Sequence, residues 1–233
     1  MKLFISFILL LLFFCNSLNA QWGFTSSIGR AVPAGDLRTA NPNFEDGKWV
    51  KSGIHVDMAM QYQYNGWLGL ALHATQNRHS IHHNNFESFL ENKIPESDFE
   101  VEKTSFKTYY LLLGPSFGID SESYGFFFQP GIGLGAVTDI EFDYYSTDPL
   151  LPISGNLSSH ASIDLAWGAT ASFIAYFNES FGMSVEARYL DSKMYRKYSA
   201  EASAPGITPV VESGYAYFRP ITIVGSLGLR IRF

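Results

Sequence analysis

The last fifteen residues of the chain, Arg219 to Phe233, alternate strictly between apolar and polar positions. Every second residue counted back from Ile231 is aliphatic or glycine, and the other parity carries Arg230 and Arg232. Side chains point to opposite faces along an extended strand, so a period of two predicts a β-strand with two different environments on its faces. A soluble barrel would bury the aliphatic face, whereas a membrane barrel turns that face to lipid and encloses the arginines.

The same alternation recurs about eight times and predicts the other strands. The predicted strands are Trp22 to Val32, Lys51 to Tyr64, Trp67 to Arg78, Thr104 to Gly118, Gly125 to Val137, Ser159 to Phe177, Phe181 to Met194 and the terminal stretch. Both parities of Thr104 to Gly118 are apolar. Its outward set is predicted to be Tyr109, Leu111, Leu113 and Phe117. Asn65-Gly66 is the strongest short-range signal for a two-residue hairpin turn.

The connections between the predicted strands alternate strictly between short and long. The short ones are Asn65-Gly66, Ile119 to Tyr124 and Asn178 to Ser180, and the long polar ones are Pro33 to Val50, His79 to Lys103, Thr138 to Ser158 and Tyr195 to Phe218. All tight turns therefore fall on one end, as in outer-membrane barrels with periplasmic turns and extracellular loops. The aromatic residues expected to form an interfacial girdle beside these turns are Tyr62, Tyr64, Phe117, Phe126, Phe128, Phe177, Phe181 and Phe233.

The N-terminal segment carries the signals of export. Lys2 precedes an apolar run from Leu3 to Cys15, which is too short to span a bilayer, and a small residue, Ala20, follows at a plausible cleavage point. Residues 1–20 are therefore predicted to be a cleavable signal peptide and residues 21–233 a single barrel domain. The only cysteine, Cys15, lies in the predicted signal peptide, so the mature chain is expected to contain no disulfide.

Composition narrows the classes of function. A net charge of −6 gives no basic patch for nucleic acid, and an aromatic content of 16% with 20 glycines favours tightly packed β structure. No later segment has eighteen consecutive apolar residues, which excludes a helical membrane protein but not a membrane barrel.

On these features the chain resembles the small bacterial outer-membrane β-barrels of the OmpA transmembrane-domain type. The resemblance covers Trp22 to Phe233 and includes the signal peptide, the alternating strands, Gly35-Asp36 after the first strand and the terminal G-L-R-I-R-F. It implies an all-β fold: an eight-stranded antiparallel up-and-down transmembrane barrel in the outer membrane of a Gram-negative bacterium. It also implies that Leu229, Ile231 and Phe233 form the signal recognised by the barrel-insertion machinery. Unlike full-length OmpA-type proteins, the protein is expected to lack a peptidoglycan-binding domain.

The membrane orientation predicts a charged lumen. The inward-facing set is Asp57, Asp164, Glu186, Arg188, Arg230 and Arg232. Buried charges are tolerable only when they pair and hydrogen-bond, and Glu186 with Arg230 or Arg188 is the expected pair because the last two strands are neighbours. Eight strands leave an interior that side chains can fill, which disfavours a permanent pore.

Three further constellations suggest chemistry, and each has a simpler structural explanation. The glycines Gly131, Gly133 and Gly135 lack the helix of a phosphate loop and are expected to make room for long side chains. The loop histidines His79, His82 and His83 could share a metal if a helical turn formed, but solvated histidines are more common. His160 and Ser162 resemble the histidine–serine pair of outer-membrane lipid A deacylases, but their lumen-facing parity keeps them from a lipid ester.

The leading hypothesis is a non-enzymatic integral outer-membrane barrel, structural or displaying four long loops for an extracellular ligand, since loops on a rigid scaffold commonly carry binding function. It is expected to be a monomer, to use no cofactor or metal, and to have outer-membrane lipid and the barrel-assembly machinery as partners. The alternatives are a narrow porin-like channel, a lipid-modifying enzyme and a secreted, soluble, lipocalin-like binding barrel.

Overall fold

The computed structural model describes residues 21–35, 50–93, 98–102, 104–150 and 152–233. Outside the described residues lie the predicted signal peptide, which includes Cys15, and residues 36–49, which include Asp36 and most of the first predicted long connection. No helix within the described ranges is long and apolar enough to cross a membrane.

The described residues form thirteen strands and one helix. In chain order they are β1 (Gln21–Gly35), β2 (Gly53–Gln63), β3 (Leu68–Ser80), α1 (His83–Lys93), β4 (Phe99–Val101), β5 (Ser105–Asp120), β6 (Tyr124–Val137), β7 (Ile140–Ser146), β8 (Ser154–Ser159), β9 (Ser162–Tyr176), β10 (Phe181–Ser192), β11 (Met194–Ser203), β12 (Val210–Phe218) and β13 (Pro220–Arg232).

Eight of these strands close into a barrel in the order β1-β13-β10-β9-β6-β5-β3-β2. Each barrel strand pairs antiparallel with its neighbours, and β1 closes on β13 through thirteen partners from Gly23↔Arg232 to Gly35↔Pro220. Closure leaves no free edge in the wall, so every strand has its hydrogen-bonding partners on both sides. The predicted eight-stranded antiparallel barrel is therefore confirmed.

The two faces of the wall have opposite chemistry. Large apolar side chains are exposed on the outside, with Ile28 63% and Leu229 64% exposed, whereas Asp57 and Thr108 on the inside are fully buried. The outward set predicted for the ambiguous fourth strand is confirmed, because Tyr109, Leu111, Leu113 and Phe117 are exposed. A continuous apolar exterior around a charged interior is the arrangement of a wall in lipid, and it excludes the soluble, lipocalin-like alternative.

The connections at the end opposite the short turns are more ordered than predicted. Strands from three of the four predicted long polar loops form a second sheet in the order β12-β11-β8-β7-β4, and the second predicted loop also contains α1. The outward face of this sheet is mostly polar. The opposite face packs on an apolar cluster, which the polar composition concealed.

The Asn65-Gly66 turn differs from its prediction. Residues 64–67 connect β2 to β3, and the Oδ1 atom of Asn65 accepts hydrogen bonds from the backbone N–H groups of Trp67 and Leu68. Gly66 is not among the glycines with positive φ, so the two-residue mirror-image turn is wrong. The Asn side chain itself organises the turn. Asn178 bonds the N–H groups of Ser180 and Phe181 in the same way between β9 and β10.

A girdle of aromatic residues surrounds the end of the barrel that carries the short turns. Of the predicted residues, Phe126, Phe177, Phe181 and Phe233 are at least half exposed on the outer wall. Tyr62 is half-buried, and its side-chain ring lies 4.7 Å from that of Trp22, measured between centroids. Trp22 therefore extends the girdle to β1. This position matches an interfacial aromatic girdle.

Candidate functional site

A buried ion pair crosses the middle of the lumen. Arg188 on β10 donates from both terminal nitrogens to both carboxylate oxygens of Asp57 on β2, and the Nη2–Oδ2 bond is 2.7 Å long. Thr75 donates to Asp57 at 2.6 Å and accepts from Arg188 at 2.7 Å. All three side chains are buried. A bidentate pair with these extra bonds satisfies charges that would be costly alone in a wall surrounded by lipid.

His73 and Glu186 extend this pair to other strands. His73 Nδ1 lies 3.1 Å from Arg188 Nη2 and 3.4 Å from Asp57 Oδ2, and its Nε2 lies 3.1 Å from Gln129 Oε1. Glu186 accepts from Arg188 at 3.4 Å and from Ser27 at 3.0 Å. Side chains from β1, β2, β3, β6 and β10 thus meet in one network, which we call the lumen core.

The end of the lumen near the short turns holds the other two arginines. Arg230 donates to Thr25 at 3.2 Å and stacks over Phe127 with 5.5 Å to the ring centroid. Arg232 lies 3.3 Å from Asp120 and 4.2 Å from the ring centroid of Tyr176. Arg230 has no ion pair among the described residues, so the expected Glu186 pairing is with Arg188 and not with Arg230.

An apolar layer lies above the lumen core, toward the second sheet. It consists of Ala31, Tyr110, Leu112, Ala166, Leu190 and Val224, all buried. Leu190 is the next inward residue after Arg188 on β10, and the Tyr110 hydroxyl donates to the carbonyl of Pro220 at 3.3 Å. The aliphatic side chains of this layer offer no polar partners to water or ions.

A second apolar cluster closes the mouth of the barrel. Its buried members come from α1, from β4 and β11 of the second sheet, from β5 and β6 of the barrel, and from the residue after β3. They are Ile81, Phe86, Leu90, Phe99, Val101, Phe106, Val137 and Met194. Tyr144 and Leu157 of the second sheet pack against this cluster. The helix and the inner face of the sheet therefore rest on the barrel as a packed cap.

Arg196 stabilises the cap through hydrogen bonds to the backbone. Its guanidinium donates to the backbone carbonyls of Thr138, Ser159 and His160 at 2.8–3.0 Å, which ties β11 to both ends of the connection from β6 to β9. Burial lowers the pKa of Arg196 to about 10, so the side chain remains charged at neutral pH.

The outward face of the second sheet is polar and aromatic. Tyr195 and Tyr215 stack face to face with 5.0 Å between ring centroids and 6° between planes, and both are more than half exposed. Asn156 donates to Asp143 at 2.7 Å and to Glu141 at 3.3 Å on the neighbouring strand. Val211, which has the same parity on β12 as Tyr215, is also exposed. We call this surface the display face.

The remaining predicted residues do not converge on one site. Asp164 is half-buried on the inner parity of β9 but bonds only the N–H of Leu165 among the contacts of the described residues. Leu229 and Phe233 are exposed on the outer wall and Ile231 is half-buried, and their role as an insertion signal remains a prediction.

The loop histidines separate in the structure. His79 is fully buried in the barrel mouth, bonds the carbonyl of Lys51 at 3.2 Å and stacks on Phe106, whereas His82 and His83 lie outside at the start of α1. No group of three His, Cys, Asp or Glu residues in the described ranges could hold a metal ion.

The glycines of β6 and the His160–Ser162 pair have structural surroundings. A Cβ at Gly133 would collide with the Leu111 carbonyl, and one at Gly135 would lie 3.1 Å from Ala166 and Ser192, so these glycines admit close strands as well as side chains. His160 lies 4.0 Å from Asp139 with both side chains mostly exposed, whereas the Ser162 hydroxyl is buried. Nothing here aligns a base with a nucleophile.

Several residues of the site escaped the sequence analysis. His73, Thr75 and Gln129 lie on predicted strands but were not included in the predicted inward set, and Arg196 lay in a predicted loop. The available signal for the lumen core was that these three polar residues, a histidine, a threonine and a glutamine, have the inward parity of their strands. Polar side chains enclosed by a lipid-facing wall must hydrogen-bond one another.

The comparisons with known proteins show the fold. The sequence matches no protein-family profile and no curated protein. Among solved structures it is similar to OprG of Pseudomonas aeruginosa, with 14% identity, a TM-score of 0.50 and coverage of 92% of this chain and 96% of that one. It is also similar to the attachment invasion locus protein Ail of Yersinia pestis (17%, 0.42, covering 92% and 97%) and to Neisserial surface protein A (14%, 0.46, covering 92% and 99%).

Proposed function

We propose that this chain, an integral β-barrel of the bacterial outer-membrane type, is a non-enzymatic barrel of the OmpA transmembrane-domain kind. It anchors the display face outside the cell to bind an extracellular ligand. It works as a monomer and uses no cofactor. Barrel-assembly machinery inserts it through Leu229, Ile231 and Phe233.

The observation that carries this proposal is the combination of a closed lumen with an ordered cap. The buried side chains of the lumen core, the apolar layer and the cap cluster follow one another toward the mouth, beside the hydrogen-bonded and fully buried residues His55, Asn77 and Thr108. Packed side chains of this kind favour a closed lumen over an open pore. The porin-like alternative therefore has no support from the interior.

The cap is the part of the molecule that is built to be presented. Five strands and a helix are held by Arg196 and by a packed apolar cluster, although a barrel needs none of them to close. Their outward face exposes a stacked tyrosine pair and aliphatic side chains beside carboxylates. Exposed tyrosines supply large contact area at low entropic cost, which suits a binding surface.

Single-cysteine labelling tests the orientation. Because Cys15 lies in the predicted signal peptide, Ser213→Cys on β12 and Ser123→Cys in the turn before β6 would each be the sole cysteine of the mature chain. A membrane-impermeant maleimide added to whole cells should label Ser213→Cys and leave Ser123→Cys unlabelled until the cells are broken. Labelling of Ser123→Cys alone on whole cells would overturn the proposal.

Ligand binding is tested by removing the tyrosine pair. Tyr195→Ala/Tyr215→Ala should reduce adhesion of protein-coated beads to a glycan and extracellular-matrix array, while Lys193→Ala on the same segment should not. Equal array profiles for wild type and the double variant would contradict a binding role for the display face.

A further inference from the structure

Three cations stand on the lipid-facing side of the barrel, at its boundary with the second sheet. Arg30 on β1, Arg78 on β3 and Lys107 on β5 all have the outward parity of their strands. The registers Arg30↔Ile54, Ile54↔Arg78 and Arg78↔Lys107 place them in one row across four adjacent strands. This row is unusual in an acidic protein, and the outward residues below it are mostly apolar.

The row has no negative counterpart in the described part of the chain. None of the six ion pairs found there includes Arg30, Arg78 or Lys107. Arg78 and Lys107 are direct cross-strand partners, and like charges in that position repel. An anion from outside the chain would relieve the repulsion.

The two guanidinium groups are held in place by serine hydroxyls. Arg30 donates to Ser52 at 3.2 Å, and Arg78 donates to Ser105 at 3.4 Å. Each bond uses one of the five donors of a guanidinium, and the fork geometry of the others suits a phosphate. Neighbouring strands lie about 4.8 Å apart, so the backbones of Arg30 and Arg78 are about 10 Å apart and their long side chains can reach one headgroup.

An apolar groove begins directly below these cations. It has a volume of about 460 Å³ and is lined mainly by outward residues of β2, β3, β5, β6 and β9, with the inward residues Thr75, Tyr110 and Gly135 at its floor. The row one step below the cations is Val56, Gln76, Tyr109, Ala136 and Ile163, and the next contains Met58, Ala74, Leu111 and Leu134. The small side chains of Ala74 and Ala136 stand between larger ones and create the depression.

We propose that this groove and the cation row form a binding site for one phosphorylated lipid of the outer leaflet, the lipid A part of lipopolysaccharide. A phosphate contacts Arg78 and Lys107, with Arg30 within reach, and an acyl chain lies over Ala74 and Ala136. The assignment to the outer leaflet rests on the proposed function, because it requires the cap to be extracellular. Charge complementarity above and apolar contact below select an anionic amphiphile.

Native mass spectrometry of the refolded barrel, Gln21 to Phe233, tests the site. The protein in detergent micelles is mixed with bisphosphorylated lipid A, with enzymatically dephosphorylated lipid A, and with phosphatidylglycerol. We expect one bisphosphorylated lipid A to be retained at least tenfold more tightly than either other lipid. Equal retention of phosphorylated and dephosphorylated lipid A would overturn the site, and equal retention of phosphatidylglycerol would overturn the choice of lipid A.

Variants locate the lipid. Arg78→Gln/Lys107→Gln should weaken retention at least tenfold, and Ala136→Phe should weaken it with the charges unchanged, whereas Lys197→Gln on the display face should behave as wild type. Heat-modifiable migration on a denaturing gel shows that each variant is folded. Wild-type retention by the folded double variant would overturn the site. If maleimide labelling gives the expected orientation and the lipid-retention experiments do not give the expected result, the lipid site is refuted and the proposed function stands.

Discussion

The guanidinium of Arg188 contacts the carboxylate of Asp57 across the lumen, although 131 positions separate the two residues in the chain. β2 and β10 are not neighbours in the barrel wall, since β1 and β13 stand between them. The pair therefore bridges the interior and connects two parts of the wall that share no backbone hydrogen bonds.

Removing one member of this pair should be costly. Asp57→Asn leaves a buried guanidinium without its counter-charge and should lower the free energy of unfolding by about 3–5 kcal/mol. Urea unfolding of the barrel in lipid vesicles, followed by tryptophan fluorescence, measures the change. Asp164→Asn, at a half-buried position without an ion pair among the described residues, is the control and should change stability by less than about 0.5 kcal/mol. A similar stability for the two variants would contradict a central role for the lumen core.

The glycines of the wall provide a matched comparison. A Cβ at Gly133 would collide with the backbone carbonyl of Leu111, whereas one at Gly225 would meet nothing within 4 Å. Gly133→Ala should therefore destabilise the barrel by about 1–3 kcal/mol, as overpacking does, and Gly225→Ala should change its stability by less than about 0.5 kcal/mol. The same urea titration measures both variants, and equal midpoints would show that β5 and β6 are not packed this closely.

The apolar layer should control conductance. Wild-type protein in planar lipid bilayers is expected to give no single-channel steps, because Leu112 and Leu190 close the space above the lumen core. Leu112→Ser/Leu190→Ser should admit water and raise the frequency of conducting events. Leu111→Ser, the outward neighbour on β5, is the control and should stay silent. Steady conductance by the wild-type protein would contradict the closed lumen.

Arg196 should matter for the cap and not for the barrel. Arg196→Met removes the donors to Thr138, Ser159 and His160 while keeping much of the apolar stem. Amide hydrogen exchange in β8 and β11 should become at least tenfold faster, while β1 and β13 should keep their protection. Lys197→Met changes an exposed neighbour and should leave both rates unchanged. Unchanged exchange in β8 and β11 of Arg196→Met would show that the apolar cluster alone holds the cap.

The wall could be predicted from the sequence because each strand carries its own period-two signal. Residues such as Ile223, Leu227 and Leu229 are outward simply because they alternate with polar neighbours, and no long-range information is needed. The pairing inside the lumen could not be predicted in the same way. Glu186 and Arg188 share a face of one strand, but the Asp57–Arg188 contact depends on closure and register across eight strands.

The second sheet was missed for a different reason. Along β11 the buried residues Met194 and Arg196 alternate with exposed Tyr195 and Lys197, so the apolar contribution to its inner face is diluted by a buried arginine. The prediction of a two-residue turn at Asn65-Gly66 was wrong for a separate reason. Asparagine can organise a turn through its side chain as well as through a positive φ.

The account depends on the direction in which consecutive side chains of β13 point. Nitroxide labels at Leu227→Cys and Ser226→Cys, in the protein reconstituted in lipid vesicles, test this directly through electron paramagnetic resonance relaxation by oxygen, which concentrates in lipid, and by a water-soluble nickel chelate. The account predicts strong relaxation by oxygen at position 227 and weak relaxation by both reagents at position 226, inside the closed lumen. Strong relaxation by the nickel chelate at position 226 and protection of position 227 from oxygen would contradict it.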